Sequence, residues 1–452
     1  MTRALDLAES ALRAAEGDEA EVLVHAERSG VARFAGSVVH QPTLVDDAVI
    51  RLRVVRDGKV GWATTNRADG LEELARRAGE AADQARPDPD FPGLAPPADY
   101  ERVSGFDPET AELGPDDQAR LAAEAIGAAG DFGLYGYFTS AVTQIALASS
   151  TGLVAEQELT DAAVLSLAAT EDASGWAEHT SWRVSDIDPA TVTEEATSKA
   201  ARTRDAQELE PGTYAAVLEP YAVAELLRWF YYDSLGAQGF IEERSYFCGR
   251  IGEQAFDEKV SLADNGLDPV NFPKSFDFEG TPKRRVELIE GGVARGVVWD
   301  RMTAARAGDG HASTGHAPPE DWRYYGPLPT AFDLAPGDAG SLDELVERIG
   351  EGIYVTRLHY LGIIDSRGAV LTGMTRDGTF RIRDGKVAEP LVNLRFTVPM
   401  GDVLGEVPGL TRERMLVNLN ELYGERFPFA AQVPGLATAR FQITGTGSGP
   451  GL

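Results

Sequence analysis

Residues 379–398 read TFRIRDGKVAEPLVNLRFTV. Phe380 and Ile382 alternate with Arg381 and Arg383, the two-residue period of a half-buried strand. Asp384-Gly385 follows, a pair that readily takes up the left-handed backbone of a tight hairpin. The same pattern recurs upstream, where RRVELIEGGVARGVVWD (284–300) predicts a hairpin about Gly291-Gly292. Between the two lies SLDELVERIGEGIYV (341–355), in which Ser341 and Glu344 predict a capping box opening a short helix. Gly350 and Gly352 are placed to end that helix. The second half of the chain is therefore expected to be β-dominated.

The first half mixes both periods. Leu5, Ala8, Leu12 and Ala15 predict an amphipathic first helix. EVLVHAERS (21–29), the run at 45–55 and KVGWATT (59–65), with Asp57-Gly58 as a turn, predict an antiparallel meander. Helices are predicted over 71–86, 116–130 and 194–207, with a Pro-rich loop at 86–100 after the first. A strand pattern runs to Thr151-Gly152, and more β pattern crosses 160–184 with Ser174-Gly175 as its turn. The fold class expected is α+β. Residues 1–205 would form helices packed on a mostly antiparallel sheet, and residues 206–452 a β-rich domain.

Composition narrows the partners. The 452 residues hold 42 Lys and Arg against 72 Asp and Glu, a net charge of −30. Such a surface repels phosphate backbones and anionic lipid, so neither nucleic acid nor membrane is an expected partner. Cys248 is the single cysteine, which excludes an internal disulfide and a thiolate metal cluster. The first residues lack the apolar core of a signal peptide, and no apolar run is long enough to span a bilayer. A cytoplasmic location is expected.

Common catalytic patterns are missing. None of the six histidines opens an HExxH motif, and there is no G-x-S-x-G elbow. His311 and His316 share the Gly-rich loop AGDGHASTGHAPPED (307–321), with Asp309 beside them, but their spacing matches no metal-ligand pattern. Cys248 lacks a neighbouring histidine and reads as a packed, inert thiol.

One helix interrupts the β-rich half, within LEPYAVAELLRWFYYDSLGAQGF (218–240). Val223, Leu226, Leu227, Phe230 and Tyr231 fall on one face, as in a core helix. Glu225, Arg228, Trp229 and Tyr232 fall on the other, with Glu225 and Arg228 spaced for an ion pair. That second face is aromatic and charged, a combination common at interfaces.

The long phrase EGIYVTRLHYLGIIDSRGAVLTGMTRDGTFRIRDGKVAEPLVNLRFT (351–397) is accompanied by RVVRDGKVGWATTN (53–66), ASSTGL (148–153), SGWAE (174–178) and STGHA (313–317). Together these phrases resemble the TldD/PmbA family of metalloproteases. The resemblance implies a barrel-like second domain with the 222–236 helix near its centre. In the TldD branch that helix carries HExxxH after two leucines. Here Leu226-Leu227 precede Arg228 and Trp229 at the first His and Glu positions, and Asp233 stands at the second His. A guanidinium has no lone pair for a cation, and an indole cannot deprotonate water. One carboxylate beside an arginine does not make a zinc site.

The resemblance therefore points to the TldE (PmbA-type) branch. It implies a non-catalytic subunit of a heterodimeric zinc metalloprotease, with no metal or cofactor in this chain. Zinc and the catalytic Glu would lie in a TldD-type, HExxxH-bearing partner. The substrates implied are unfolded or short peptides, including precursors of peptide natural products. This chain would shape the cavity and help to hold the peptide, with Tyr232, His311, His316 and Arg376 as candidate contacts. Arg376 belongs to TRDG (375–378), which predicts a hairpin turn. Two alternatives stand beside this reading. One is a metal-independent enzyme acting alone through Arg228, Tyr232 and Asp233, and the other is a peptide-binding escort protein without turnover.

Overall fold

A computed structural model describes residues 3–308, 310–420, 422 and 424–447. Two sheets organise these residues. In the first, strands Lys59–Thr65, Thr43–Arg56, Glu19–Ala35, Gly133–Ser149, Val154–Ala169 and Ser174–Ser181 lie side by side in that order, all antiparallel. Asp57 and Gly58, at φ 50° and 69°, make the predicted turn. Helices Ala4–Ala14 and Leu71–Gln84 cover one face of this sheet, meeting Val22, Val24, Leu52 and Val54. Further along the same face, helices Pro115–Gly127 and Pro189–Ala201 pack on Phe138, Val164 and Ala177. The opposite face, through Leu23, Ile145 and Leu147, packs against Phe276, Phe278 and Phe427 of the second half.

Three local expectations change. The turn near residue 172 is Thr170–Ala173, not Ser174-Gly175, which opens the next strand. Gly175 is there for a close approach, since a Cβ would lie 2.2 Å from the carbonyl oxygen of Ala196 in the covering helix. That helix begins at Pro189 rather than 194, because the Asp188 side chain accepts from the N–H groups of Ala190 and Thr191 at 3.0 and 3.2 Å. In the first helix the buried stripe runs through Ala4, Leu7, Ala8 and Ala11, with Leu5 and Leu12 at its margin.

The second sheet has 11 strands, and five of them close into a ring. Gly212–Leu218, Gly352–Asp365, Val370–Arg383, Leu394–Pro399 and Ala430–Thr446 pair in turn, and the last pairs back onto the first. A ring of five needs one parallel neighbour, here Gly212–Leu218 beside Gly352–Asp365. Ala216, Leu218, Ile353 and Val355 share a core with helix Pro220–Ser234. Their neighbours Val217 and Tyr354 turn the other way, onto helix Leu342–Ile349. Strand alternation thus feeds two helices from one wall. Ser341 caps the second of them by accepting from Glu344 N at 3.2 Å, but the Glu344 carboxylate takes the Gly340 N–H, so the box is half-formed. Gly350, at φ 68°, ends the helix, and Gly352 already lies in the next strand.

TRDG is not a hairpin turn. It lies inside strand Val370–Arg383, where Val355 pairs with Thr379 and Arg357 with Arg376. Between those pairs Asp377 and Gly378 oppose the single Thr356, so the segment is a β-bulge. Asp377 and Gly378, at φ 55° and 138°, supply the left-handed step. A bulge re-aims the side chains beside it, and Arg357, opposite this one, lies over Trp176 of the first sheet.

Candidate functional site

Helix Pro220–Ser234 buries Val223, Leu226, Leu227, Phe230 and Tyr231, as the periodicity predicts. Its other face is half-buried. The Trp229 indole donates to Glu225 Oε1 at 3.0 Å, so the carboxylate expected to face Arg228 takes the indole. Tyr232 stacks on Tyr231 at 4.3 Å and lies 4.9 Å from Tyr325. Asp233 is engaged on both oxygens: Oδ1 accepts from the Arg244 guanidinium, and Oδ2 from Ser366 Oγ at 2.6 Å.

Beside this face, charged side chains converge from both sheets. Arg357, on strand Gly352–Asp365, sits 3.4 Å from Asp377 Oδ2 in the bulge and 4.6 Å above the Trp176 ring. His359 Nδ1 lies 3.4 Å from Arg357 Nη2. Burial, with Arg357 and Arg376 adding to it, pushes His359 down to about 4, so the ring is neutral at pH 7. Glu178, on edge strand Ser174–Ser181, accepts from Asn418 N at 2.9 Å. Burial pushes its carboxyl up to about 8; the Asn418 N–H, Arg357 and Arg228 oppose that, while the Glu225 charge adds to it. Glu178 also borders a cleft of about 860 Å³, which lies between the edge strands Ser174–Ser181 and Gly409–Asn418.

A carboxyl held above its unfolded value stabilises the fold below about pH 4.3, and that contribution fades as pH rises toward 8. Glu178→Gln is therefore expected to be more stable than wild type at pH 8, by as much as about 4–5 kcal/mol. The gain should shrink toward zero at about pH 5, read from urea midpoints at the two pH values.

The two loop histidines do not come together. His316 is buried, its Nε2 donating to Asp264 Oδ1 at 2.8 Å. Burial opposes the Asp264 charge, but His316, Lys283 and the Ala331 N–H outweigh it and hold the carboxyl below the ordinary range. His316 is thus held inside the fold against Asp264. His311 is exposed and lies over the Trp299 ring at 4.3 Å. Asp309 lies outside the described residues. Arg376 does reach the charged cluster, where its field lowers Arg357 and His359. Sequence reading missed Glu178, Arg357 and Asp377, although each ends or interrupts a strand phrase with an inward-facing charge.

Comparison with known proteins places this architecture. The PmbA/TldA metallopeptidase C-terminal domain matches residues 211–445, and the PmbA/TldA metallopeptidase domain 1 matches residues 20–82. A protein of Methanothermobacter thermautotrophicus named "Metalloprotease" is 26% identical over 415 residues, 88% of each chain. A "Zinc metalloprotease TldD homolog" of Saccharolobus solfataricus is 31% identical over 150 residues, 32% of this chain and 31% of that one. The crystal structure of TldE from Thermococcus kodakarensis superposes with a TM-score of 0.85 at 19% identity, covering 97% of this chain and 99% of that one.

Zinc, named for the Saccharolobus relative, does not suit the helix face described here. Arg228 is a fixed cation, Trp229 has no basic atom, and both Asp233 oxygens are already hydrogen-bonded. Among the described residues, no three His, Cys, Asp or Glu side chains gather as a metal-holding group. No helix among those residues is long and apolar enough to cross a membrane. The chain belongs to the PmbA/TldD metallopeptidase family and is TldE-like in fold.

Proposed function

We propose that this chain is the non-catalytic, TldE-type subunit of a cytoplasmic heterodimeric zinc metalloprotease that trims unfolded or short peptides. The observation that carries the reading is the state of Asp233, the one potential ligand among Arg228, Trp229 and Asp233, tied to Arg244 and Ser366. Zinc and the water-activating carboxylate would come from a TldD-type partner. This chain would close the cavity and help to hold the peptide. The half-buried Trp229 and Tyr232 offer aromatic surface to a peptide side chain. Arg357, which feels the charge of the Glu225 that holds the Trp229 indole, and Arg376 near it would meet peptide carbonyls or carboxylates. Precursors of peptide natural products fit the same description, as extended chains held by their backbone.

The isolated chain is expected to retain no stoichiometric zinc after dialysis and to leave unfolded peptides intact. Hydrolysis by the isolated chain in excess chelator would instead favour a metal-independent enzyme acting through the same face.

A further inference from the structure

The cleft of about 860 Å³ opens where the edge strand Ser174–Ser181 of the first sheet meets the edge strand Gly409–Asn418 of the second. Helix Pro189–Ala201 and the start of helix Leu342–Ile349 flank it. Val192, Leu342, Met415 and Leu416 give it an apolar wall. Junctions between packed layers are common places for small-ligand sites, and this volume falls in their range.

The floor of the cleft is a buried ionic group. Lys199 Nζ donates to Glu195 Oε1 at 2.6 Å and to Glu219 Oε2 at 2.7 Å. The Tyr354 hydroxyl donates to the other Glu219 oxygen at 2.7 Å, and Glu219 is only 6% exposed. Two carboxylates therefore share one ammonium. Gln432, which pairs with Leu416 across the strands, also lines the cleft. Its Oε1 is buried and has no hydrogen-bond partner among the described residues. Folded proteins keep few acceptors in that state.

Each cation lining the cleft is already compensated. Arg183 Nε lies 3.2 Å from Asp186 Oδ2, and Lys199 has its two carboxylates. Arg414 meets Asp333, whose other neighbour Arg285 has Glu287 as well. Burial holds His179 below its usual value and raises Glu178 to about 8, so both are uncharged at pH 7. Asp343 and Glu413, exposed at the rim, have no ion-pair partner among the described residues. Negative charge and an unmet acceptor are thus left over, at the floor and at the rim.

We propose that this cleft binds an alkylammonium group, as borne by a lysine side chain or a free polyamine. Its nitrogen would be drawn to the floor carboxylates and the Gln432 oxygen, with its chain on Leu342, Met415 and Leu416. An ammonium offers three donors and no acceptor, which matches a lining whose spare groups are acceptors. Trp229 and Asp233 do not line this cleft, and the proposal does not depend on the subunit reading.

Calorimetric titration of the full chain with n-hexylamine and, separately, with hexanoate tests the proposal, since the two differ only in their charged end. Saturable binding of hexylamine is expected, about tenfold or more tighter than that of hexanoate. Glu195→Gln leaves Lys199 balanced by Glu219 alone, and should weaken hexylamine about tenfold. Glu413→Gln, at the exposed rim, should weaken it as well and decides the matter if Glu195→Gln does not fold. Blocked Gly-Gly-Lys-Gly-Gly and spermidine then separate the sources: the tighter of the two identifies a peptide lysine or a free polyamine. No saturable binding of hexylamine below about 10 mM, equal binding of hexanoate, or an affinity unmoved by a folded Glu195→Gln would overturn it.

Discussion

Asp161→Ala is expected to destabilise the folded chain by about 3–5 kcal/mol. Asp161 lies in strand Val154–Ala169 with no exposed surface, and the Arg426 guanidinium meets it there. Arg426 Nε donates to Oδ2 at 3.0 Å and Nη2 donates to the same oxygen. The backbone of Arg426 is held by the first sheet as well, its carbonyl accepting from His25 Nε2 at 2.8 Å and its N–H reaching Glu27 at 2.9 Å. The pair therefore fastens the second half to the first, and its loss leaves a buried cation without its counter-ion. Asp161→Asn, which keeps the shape and one acceptor, should lose about 1–3 kcal/mol. Urea midpoints at unchanged slope give both values. An alanine variant with the wild-type midpoint would show that Glu27 alone can balance Arg426.

The second large effect is in the helix Pro220–Ser234. Phe230→Ala is expected to cost about 3–5 kcal/mol, as for a large aromatic removed from a packed core. Its ring is buried among Tyr246, Phe247 and Phe256, with centroids 6.2, 6.2 and 6.3 Å away. Tyr232→Ala, two residues on and half-buried on the other face, should cost about 1 kcal/mol. The contrast separates the side of the helix that holds the fold from the side available to a peptide or partner. Equal losses at both positions would mean that the aromatic face is also core.

What the sequence makes legible follows from how local each signal is. Asp57-Gly58, Gly291-Gly292 and Asp384-Gly385 are read as turns because left-handed backbone is a property of those residues themselves. TRDG uses the same conformation at Asp377-Gly378, but for a bulge within a strand. Nothing in four residues distinguishes the two, since the difference lies in the partner strand. Gly175 misleads for a related reason: its missing side chain serves a helix packed from elsewhere in the chain. The Asp188-Pro189 pair is a legible helix start, and a reading that begins at 194 passes over it because Thr191 and Thr193 are weak helix formers.

The candidate site was less legible. The core face of the helix follows from its 3.6-residue period, but the meaning of Arg228, Trp229 and Asp233 comes only from the family resemblance. Glu178, Arg357 and Asp377 sit on three strands that meet through ring closure and the packing of the two sheets. Their convergence is non-local, and no spacing in the sequence encodes it. His316 is singled out by its loop, but its burial against Asp264 is equally non-local, since the two residues lie 52 positions apart.

As proposed, the chain would work as the metal-free half of a pair. The direct measurement is purification of the tagged chain from its own cells, with mass spectrometry and zinc analysis of the eluate. A stoichiometric partner carrying HExxxH is expected, with zinc following that partner and peptide hydrolysis appearing only in the complex. A chain that elutes alone, zinc-free, and cleaves peptides in excess chelator would contradict it.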